Sequence, residues 1–103
     1  MELAIHGKQM DVGEALRAHV TTKLEEINSK FFNRAIDVIV TFSPESHAYV
    51  KTHISLRVGK DIMVTAHSSE TDAYASFDVT AEKIAKQLRR YKSRHRDNHD
   101  RME

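Results

Sequence analysis

Seven cations and no acid lie between Lys83 and Arg96: Lys83, Lys86, Arg89, Arg90, Lys92, Arg94 and Arg96. Residues 1–82 set eight bases against twelve acids, a formal −4, while residues 97–103 carry −2. The whole-chain charge of +1 therefore hides a +7 segment. At about 100° per helical residue, Lys83, Lys86, Arg90 and Arg94 fall within roughly 80° of one another. The apolar stripe of Ala73, Phe77, Ala81, Ile84, Leu88 and Tyr91 is centred about 130° away, with Arg89, Lys92 and Arg96 on its other flank. Such a ridge is about 21 Å long and can follow several phosphates of a nucleic-acid backbone. The competing reading is a solvated helix end whose bases complement the macrodipole. One or two bases would do that, but seven without acid partners repel each other. An acidic membrane surface is a lesser alternative, because the core needs the apolar stripe.

Other chemistry is poorly provided for. The chain has no cysteine, which excludes disulfides, thiol catalysis, Cys-based zinc sites and iron–sulfur clusters. Among seven histidines, His95 and His99 are spaced i,i+4 without a third ligand, so no metal is expected. His47 and His53 are expected on an open sheet face, joined by His67 if the register allows, with Tyr49, Lys51 and Arg57 beside them. That face offers weak stacking capacity for RNA, a wet antiparallel surface being the simpler account. Glu25 and Glu26 diverge on a helix, and Asp72 and Asp78 do not converge. No nucleophile elbow, phosphate-binding glycine loop or dinucleotide fingerprint is present. Tyr74 is assigned to packing at a helix start rather than to function. No catalytic residue, cofactor or small-molecule substrate is expected.

The positioning elements follow from periodicity. At 103 residues, with 40% apolar and 30% charged positions, three Gly and one Pro, the chain is one small globular domain. Residues 2–6 alternate as a strand ended by Gly7. Asp11 and Glu14 form a capping-box pattern, and Leu16, Val20, Leu24, Ile27 and Phe31 give one stripe of a helix over about 12–32. Residues 35–43 alternate, with Ile36, Val38, Val40 and Phe42 inward, and Pro44-Glu45 marks a turn. Residues 47–58 alternate, with Ala48, Val50, Ile54, Leu56 and Val58 inward. After Gly59-Lys60, Ile62, Val64 and Ala66 face in on a further strand. Ser69 or Asp72 caps a second helix that runs to about residue 95. The result is an α+β fold of order β-α-β-β-β-α: a four-stranded mixed sheet with two helices on one face, its first two strands parallel across a crossover. Residues 1–96 form the domain, and 97–103 a flexible C-terminal tail. No apolar run spans a membrane and Met1–His6 is no signal peptide, so a cytoplasmic location is expected.

Two segments carry a resemblance. Asp72-Ala73-Tyr74-Ala75-Ser76-Phe77-Asp78, followed by Lys83-Ile84-Ala85-Lys86-Gln87-Leu88-Arg89-Arg90-Tyr91-Lys92, resembles the second helix of the ribosome hibernation promoting factor family, which includes the ribosome-associated translation inhibitor. Ile5-His6-Gly7-Lys8-Gln9-Met10 and Glu14-Ala15-Leu16-Arg17 are similar to its first strand and helix. The resemblance covers essentially residues 1–96 and implies a non-enzymatic fold similar in outline to double-stranded-RNA-binding domains. It implies docking on the small ribosomal subunit (30S or 70S) and 16S-type rRNA near the decoding centre. There the protein blocks mRNA and tRNA and silences ribosomes when growth slows. Lys83, Lys86 and Arg90 match the family's rRNA-contacting positions. Arg89, Lys92 and Arg94 extend that ridge, and Lys8 and Arg17 match basic positions elsewhere.

The inhibitor branch has an acidic tail that residues 97–103 barely echo. Long members add a linker and a second domain that pairs two ribosomes. The basic ending, residues 89–97, looks like long forms where the linker begins, so the chain is either a short form or an N-terminal part. Ribosome dimerisation is expected only with such a further domain or a partner protein. The alternatives are a general structured-RNA-binding module and a metal- or protein-binding adaptor using the histidine-rich face.

Overall fold

The computed structural model describes residues 1–30, 35–59 and 62–101, without the side chains of residue 36 and residues 91–101. Phe31, Ile36, Lys60, Tyr91, Lys92, Arg94, His95, Arg96 and His99, all named above, and the side chains of the 97–103 tail thus lie outside the described residues or side chains. Alternating apolar residues build β1 (Glu2–Gly7), β2 (Ala35–Glu45), β3 (Tyr49–Val58) and β4 (Ile62–Glu70). They pair in the order β1-β2-β3-β4, the first pair parallel and the others antiparallel. The expected α+β order is therefore present, with α1 (Glu14–Lys30) as the crossover and α2 (Ala73–Arg101) after the last strand.

One face of the sheet and both helices share one core. Val20, Val38, Val40, Phe42, Ile54, Phe77 and Ile84 have no exposed surface, and Leu16, Leu24, Leu56 and Leu88 are buried around them. Burying an aliphatic or aromatic side chain contributes about 1.5–3 kcal/mol, so this stripe-on-sheet arrangement is what holds the helices in place. The His19 Nε2 and Asp78 Oδ1 atoms meet at 2.6 Å between the helices, and the His19 ring lies edge-on against Tyr74 and Phe77. Tyr74 accordingly packs at the helix–helix seam.

Several boundaries differ from the sequence reading. The α1 helix begins at Glu14, and its first hydrogen bond runs from the Arg17 N–H to the Gly13 carbonyl, so Gly13 stands at the N-cap and Asp11 does not. Packing of Met10 and Val12 against the core draws the Asp11 segment into the connection instead. Pro44 stays within β2, opposite Val50 of β3. Pairing with β1 ends at Phe42, so the proline lies where β2 has no neighbour on that side and its missing N–H costs no ladder bond there. The turn comes at Ser46–Ala48, with His47 and Ala48 both at positive φ. Ala48 therefore does not face the core, whereas Thr52 does. Asp72 caps α2, its Oδ2 accepting from the Ala75 N–H at 3.2 Å, while Ser69 belongs to β4. The helix continues beyond residue 96 to Arg101, since neither Gly nor Pro interrupts it.

A buried hydroxyl seam locks α2 to β3 and β4. Ser76 Oγ donates to the Ser68 carbonyl at 3.0 Å and lies 2.8 Å from Thr52 Oγ1, while Thr80 Oγ1 donates to the Ser76 carbonyl. The Ser68 hydroxyl is buried without a partner among the described residues. Ser76→Ala is therefore expected to cost about 1–3 kcal/mol in a denaturant melt, and Ser68→Ala to be neutral or slightly stabilising. Gly7 sits where a Cβ would overlap the Met10 carbonyl oxygen. Gly7→Ala should destabilise by about 1–3 kcal/mol in the same assay.

Candidate functional site

The phase of α2 is set by the residues it buries. Phe77, Ala81, Ile84, Ala85 and Leu88 face the sheet, which turns Lys83, Lys86 and Arg90 outward. At this seat α2 runs over β3 and along β4, the last strand of the sheet. Two side chains reach from the helix to the strand backbone. Lys83 Nζ donates to the His67 carbonyl at 2.9 Å, and Gln87 Nε2 donates to the Thr65 carbonyl at 2.7 Å. These bonds satisfy outward carbonyls of an edge strand that would otherwise invite pairing with another chain.

Between strand edge and helix lies an open groove of about 510 Å³, lined by Thr65, Ala66, His67, Lys83, Lys86, Gln87 and Arg90. Three of those seven residues are basic. Among the described residues, no carboxylate forms an ion pair with any of the three. The groove thus has one wall of cationic side chains with their alkyl stems and one of strand backbone, hydroxyl, methyl and imidazole groups. Its open form and its charge can accept a phosphodiester strand, which needs cations for its oxygens and polar groups for its sugars.

The remaining sequence-predicted residues are scattered. Arg89 lies outside the groove, with its guanidinium 3.5 Å from Glu82 Oε1 on the exposed surface. Lys92 and Arg94 continue the helix backbone, and their side chains lie outside the described ones. Lys8 is exposed just after β1, at the sheet edge opposite β4 and about 14 Å from it at the usual inter-strand spacing. Its N–H donates to the Phe42 carbonyl. The Arg17 guanidinium is engaged with its own chain, donating to the Val12 carbonyl at 3.2 Å and the Ile5 carbonyl at 3.4 Å. Arg17 therefore braces the β1–α1 connection, and the structure brings neither Lys8 nor Arg17 to the groove.

His53 and His67 share the outer sheet face, directly opposite each other on β3 and β4, whereas His47 stands in the β2–β3 turn. Lys51 and Tyr49 are on that face as expected, and Arg57 is tied to Asp37. No group of three metal-ligating side chains occurs among the described residues. No helix there is long and apolar enough to cross a membrane. Sequence reasoning missed Thr65, His67 and Gln87 as groove walls. The alternation of β4 shows which residues point outward, but only the docked helix shows which carbonyls it meets.

Residues 3–96 match the family model for the Sigma 54 modulation protein / S30EA ribosomal protein. The chain is 39% identical over 97 residues to a ribosome hibernation promotion factor of Bradyrhizobium diazoefficiens, covering 94% of this chain and 47% of that one. It is 32% identical over 94 residues to a ribosome hibernation promoting factor of Salmonella typhimurium, covering 91% of this chain and 96% of the relative. A ribosomal subunit interface protein from Coxiella burnetii has a similar fold, with a TM-score of 0.82 at 20% identity over 90% of this chain and 99% of the other. The N-terminal domain of Thermus thermophilus Protein Y superimposes with a TM-score of 0.76 at 18% identity, over 88% and 99% of the two chains. The chain spans about half the length of the Bradyrhizobium relative and of a second one from Rhizobium meliloti.

Since Gln87 carries no charge, its replacement isolates the edge bond from the groove's electrostatics. Gln87→Leu is expected to lower stability by about 0.5–1.5 kcal/mol in a thermal or denaturant melt.

Proposed function

The chain belongs to the Sigma 54 modulation protein / S30EA ribosomal protein family, and from that premise we propose that it is a ribosome-binding translation silencer. It docks on small-subunit rRNA near the decoding centre, in the cytoplasm, and excludes mRNA and tRNA by occupying their path. The observation that carries this reading is the convergence of Lys83, Lys86 and Arg90 on one groove, without a carboxylate partner among the described residues. Binding suffices for such a role, and the reading assigns no catalytic step. The names of the relatives supply the hibernation context.

In this reading α2 leads. Its cations replace counterions along the rRNA backbone, and the acidic body disfavours every approach that does not present residues 83–96. Lys92 and Arg94 lengthen the contact along the same helix, and Arg89 adds to it from the adjacent flank. Lys8 and Arg17, remote from the groove, contribute at most a second, separate contact.

The test is co-sedimentation with purified 30S subunits. Replacing Lys83, Lys86 and Arg90 with Glu should weaken binding by at least about 100-fold while leaving the melting transition cooperative, because all three side chains lie outside the core. For the unmodified protein, four to seven phosphate contacts predict a log–log salt slope of about −3 to −6. The 30S subunit should outcompete bulk duplex RNA, and bound protein should be displaced by mRNA together with tRNA. Undiminished sedimentation of the triple variant would remove the groove from the interface. Equal preference for duplex RNA would leave a general RNA-binding module.

A further inference from the structure

The strand register writes the outer face of the sheet as rows. Glu2, Asp37, Arg57 and Met63 form one, and Ala4, Ile39, Ser55 and Thr65 the next. His6, Thr41, His53 and His67 form the third, and Ser43, Lys51 and Ser69 the fourth. Histidines therefore occupy three of the four positions in a single row. His53 and His67 are direct cross-strand neighbours, with Cβ atoms about 4.5–5.5 Å apart by ordinary sheet geometry. The row ends at the groove: His67 lines it, and Lys83 grips the carbonyl of that same residue.

The charged surroundings of the pair are one-sided. His67 is faced by His53 across the strand pair, by Lys51 on the diagonal, and by Lys83, Lys86 and Arg90 from α2. His53 is faced by Thr41 from β2, by His67 from β4, and by Lys51 along its own strand. Neither the histidine row nor the row on either side contains a carboxylate. The nearest on this face are Asp37 and Glu45, each two rows off, or about 14 Å along the strands. Asp37 is already held by Arg57.

We infer that the polyanion site turns around the β4 edge onto the sheet, with His67 and His53 as its continuation, and that binding takes up protons there. The inference rests on the ribosomal reading above and adds a second surface to it. An imidazole changes charge between about pH 5 and 8, and the imidazolium needs a countercharge. Among the described residues nothing on this face near the pair supplies one, whereas a phosphate strand seated along Lys83, Lys86 and Arg90 passes beside His67 and does. The complex then holds more protons than the separated partners, so affinity rises as pH falls. A bound metal is a poorer occupant, because two imidazoles without a third ligand among the described residues leave the coordination incomplete.

The experiment measures affinity for purified 30S subunits at about pH 7.5 and about pH 6.0, at fixed ionic strength, for the full chain and for a His53→Gln/His67→Gln double variant. The unmodified chain should bind about 5- to 20-fold more tightly at the lower pH, and the double variant should lose most of that gain. The quantity compared is each protein's own ratio of affinities at the two pH values, so a uniform loss of groove contact in the variant cancels. Calorimetry in two buffers of different ionisation enthalpy should count fewer protons taken up by the variant. A pH-independent affinity of the unmodified chain, or a pH dependence and proton count that survive in the double variant, overturns the inference while leaving 30S binding intact. Absence of binding at both pH values overturns the ribosomal reading itself, and this inference with it.

Discussion

Phe77, Ala81, Ile84, Ala85 and Leu88 seat α2 on β3 and β4, and that seat determines where every described cation of the helix points. A helix has one rotational phase. If the buried stripe were displaced by a single residue, the polar face would turn by about 100° and Lys83, Lys86 and Arg90 would leave the strand edge. The hydroxyl seam of Thr52, Ser76 and Thr80 adds direction to a packing force that has none. Hydrophobic burial tolerates small slides, whereas the Ser76 hydroxyl must meet the Ser68 carbonyl. The charge that α2 presents on its outside is thus set by chemistry on its inside.

The same helix manages the weak side of the sheet. An exposed antiparallel edge is a pairing hazard, and long side chains that cap its carbonyls remove part of the template. Lys83 and Gln87 do so here, from positions one turn apart on α2. Lys83 keeps its charge while donating, since an ammonium has three donors and uses one on His67. One residue therefore protects the edge and charges the groove. At the opposite edge Arg17 is engaged with the Val12 and Ile5 carbonyls, which is why its basic character in the sequence does not translate into a place at the groove.

Much of the architecture was legible because period-2 and period-3.6 patterns are local. Leu16, Val20, Leu24 and Ile27 declared α1, and Val38, Val40 and Phe42 declared β2. The misreadings share one cause, a tertiary contact overriding a local signal. Pro44 ordinarily ends a strand, but it sits beyond the reach of β1. Asp11 ordinarily caps, but Met10 and Val12 are pulled into the core. Thr52 reads as polar, yet the seam gives its hydroxyl a partner inside. The cation cluster was visible as composition. The groove was not, because its second wall is made of Thr65 and His67, whose role depends on where α2 lies.

The histidine row shows what register adds to composition. Seven histidines in the sequence raised a metal site that lacked a third ligand, and alternation put His47 and His53 on the open sheet face, with His67 joining them if the register allowed. Pairing moves His47 into the β2–β3 turn and sets His67 directly opposite His53, because β3 and β4 run antiparallel about a turn at Gly59. Carboxylates are sorted by the same operation: Glu2 and Asp37 fall in the row at one end of the face with Arg57, leaving the rows next to the groove without acid. Charge segregation in this protein is therefore two-dimensional. Along the chain it sets an acidic body against the basic segment 83–96. Across the sheet it places titratable imidazoles where that segment's groove begins. Had His53 and Asp37 exchanged places, the net charge would be unchanged, but a carboxylate would stand opposite His67 and within reach of the same cations. It would compete for them with any phosphate that approached.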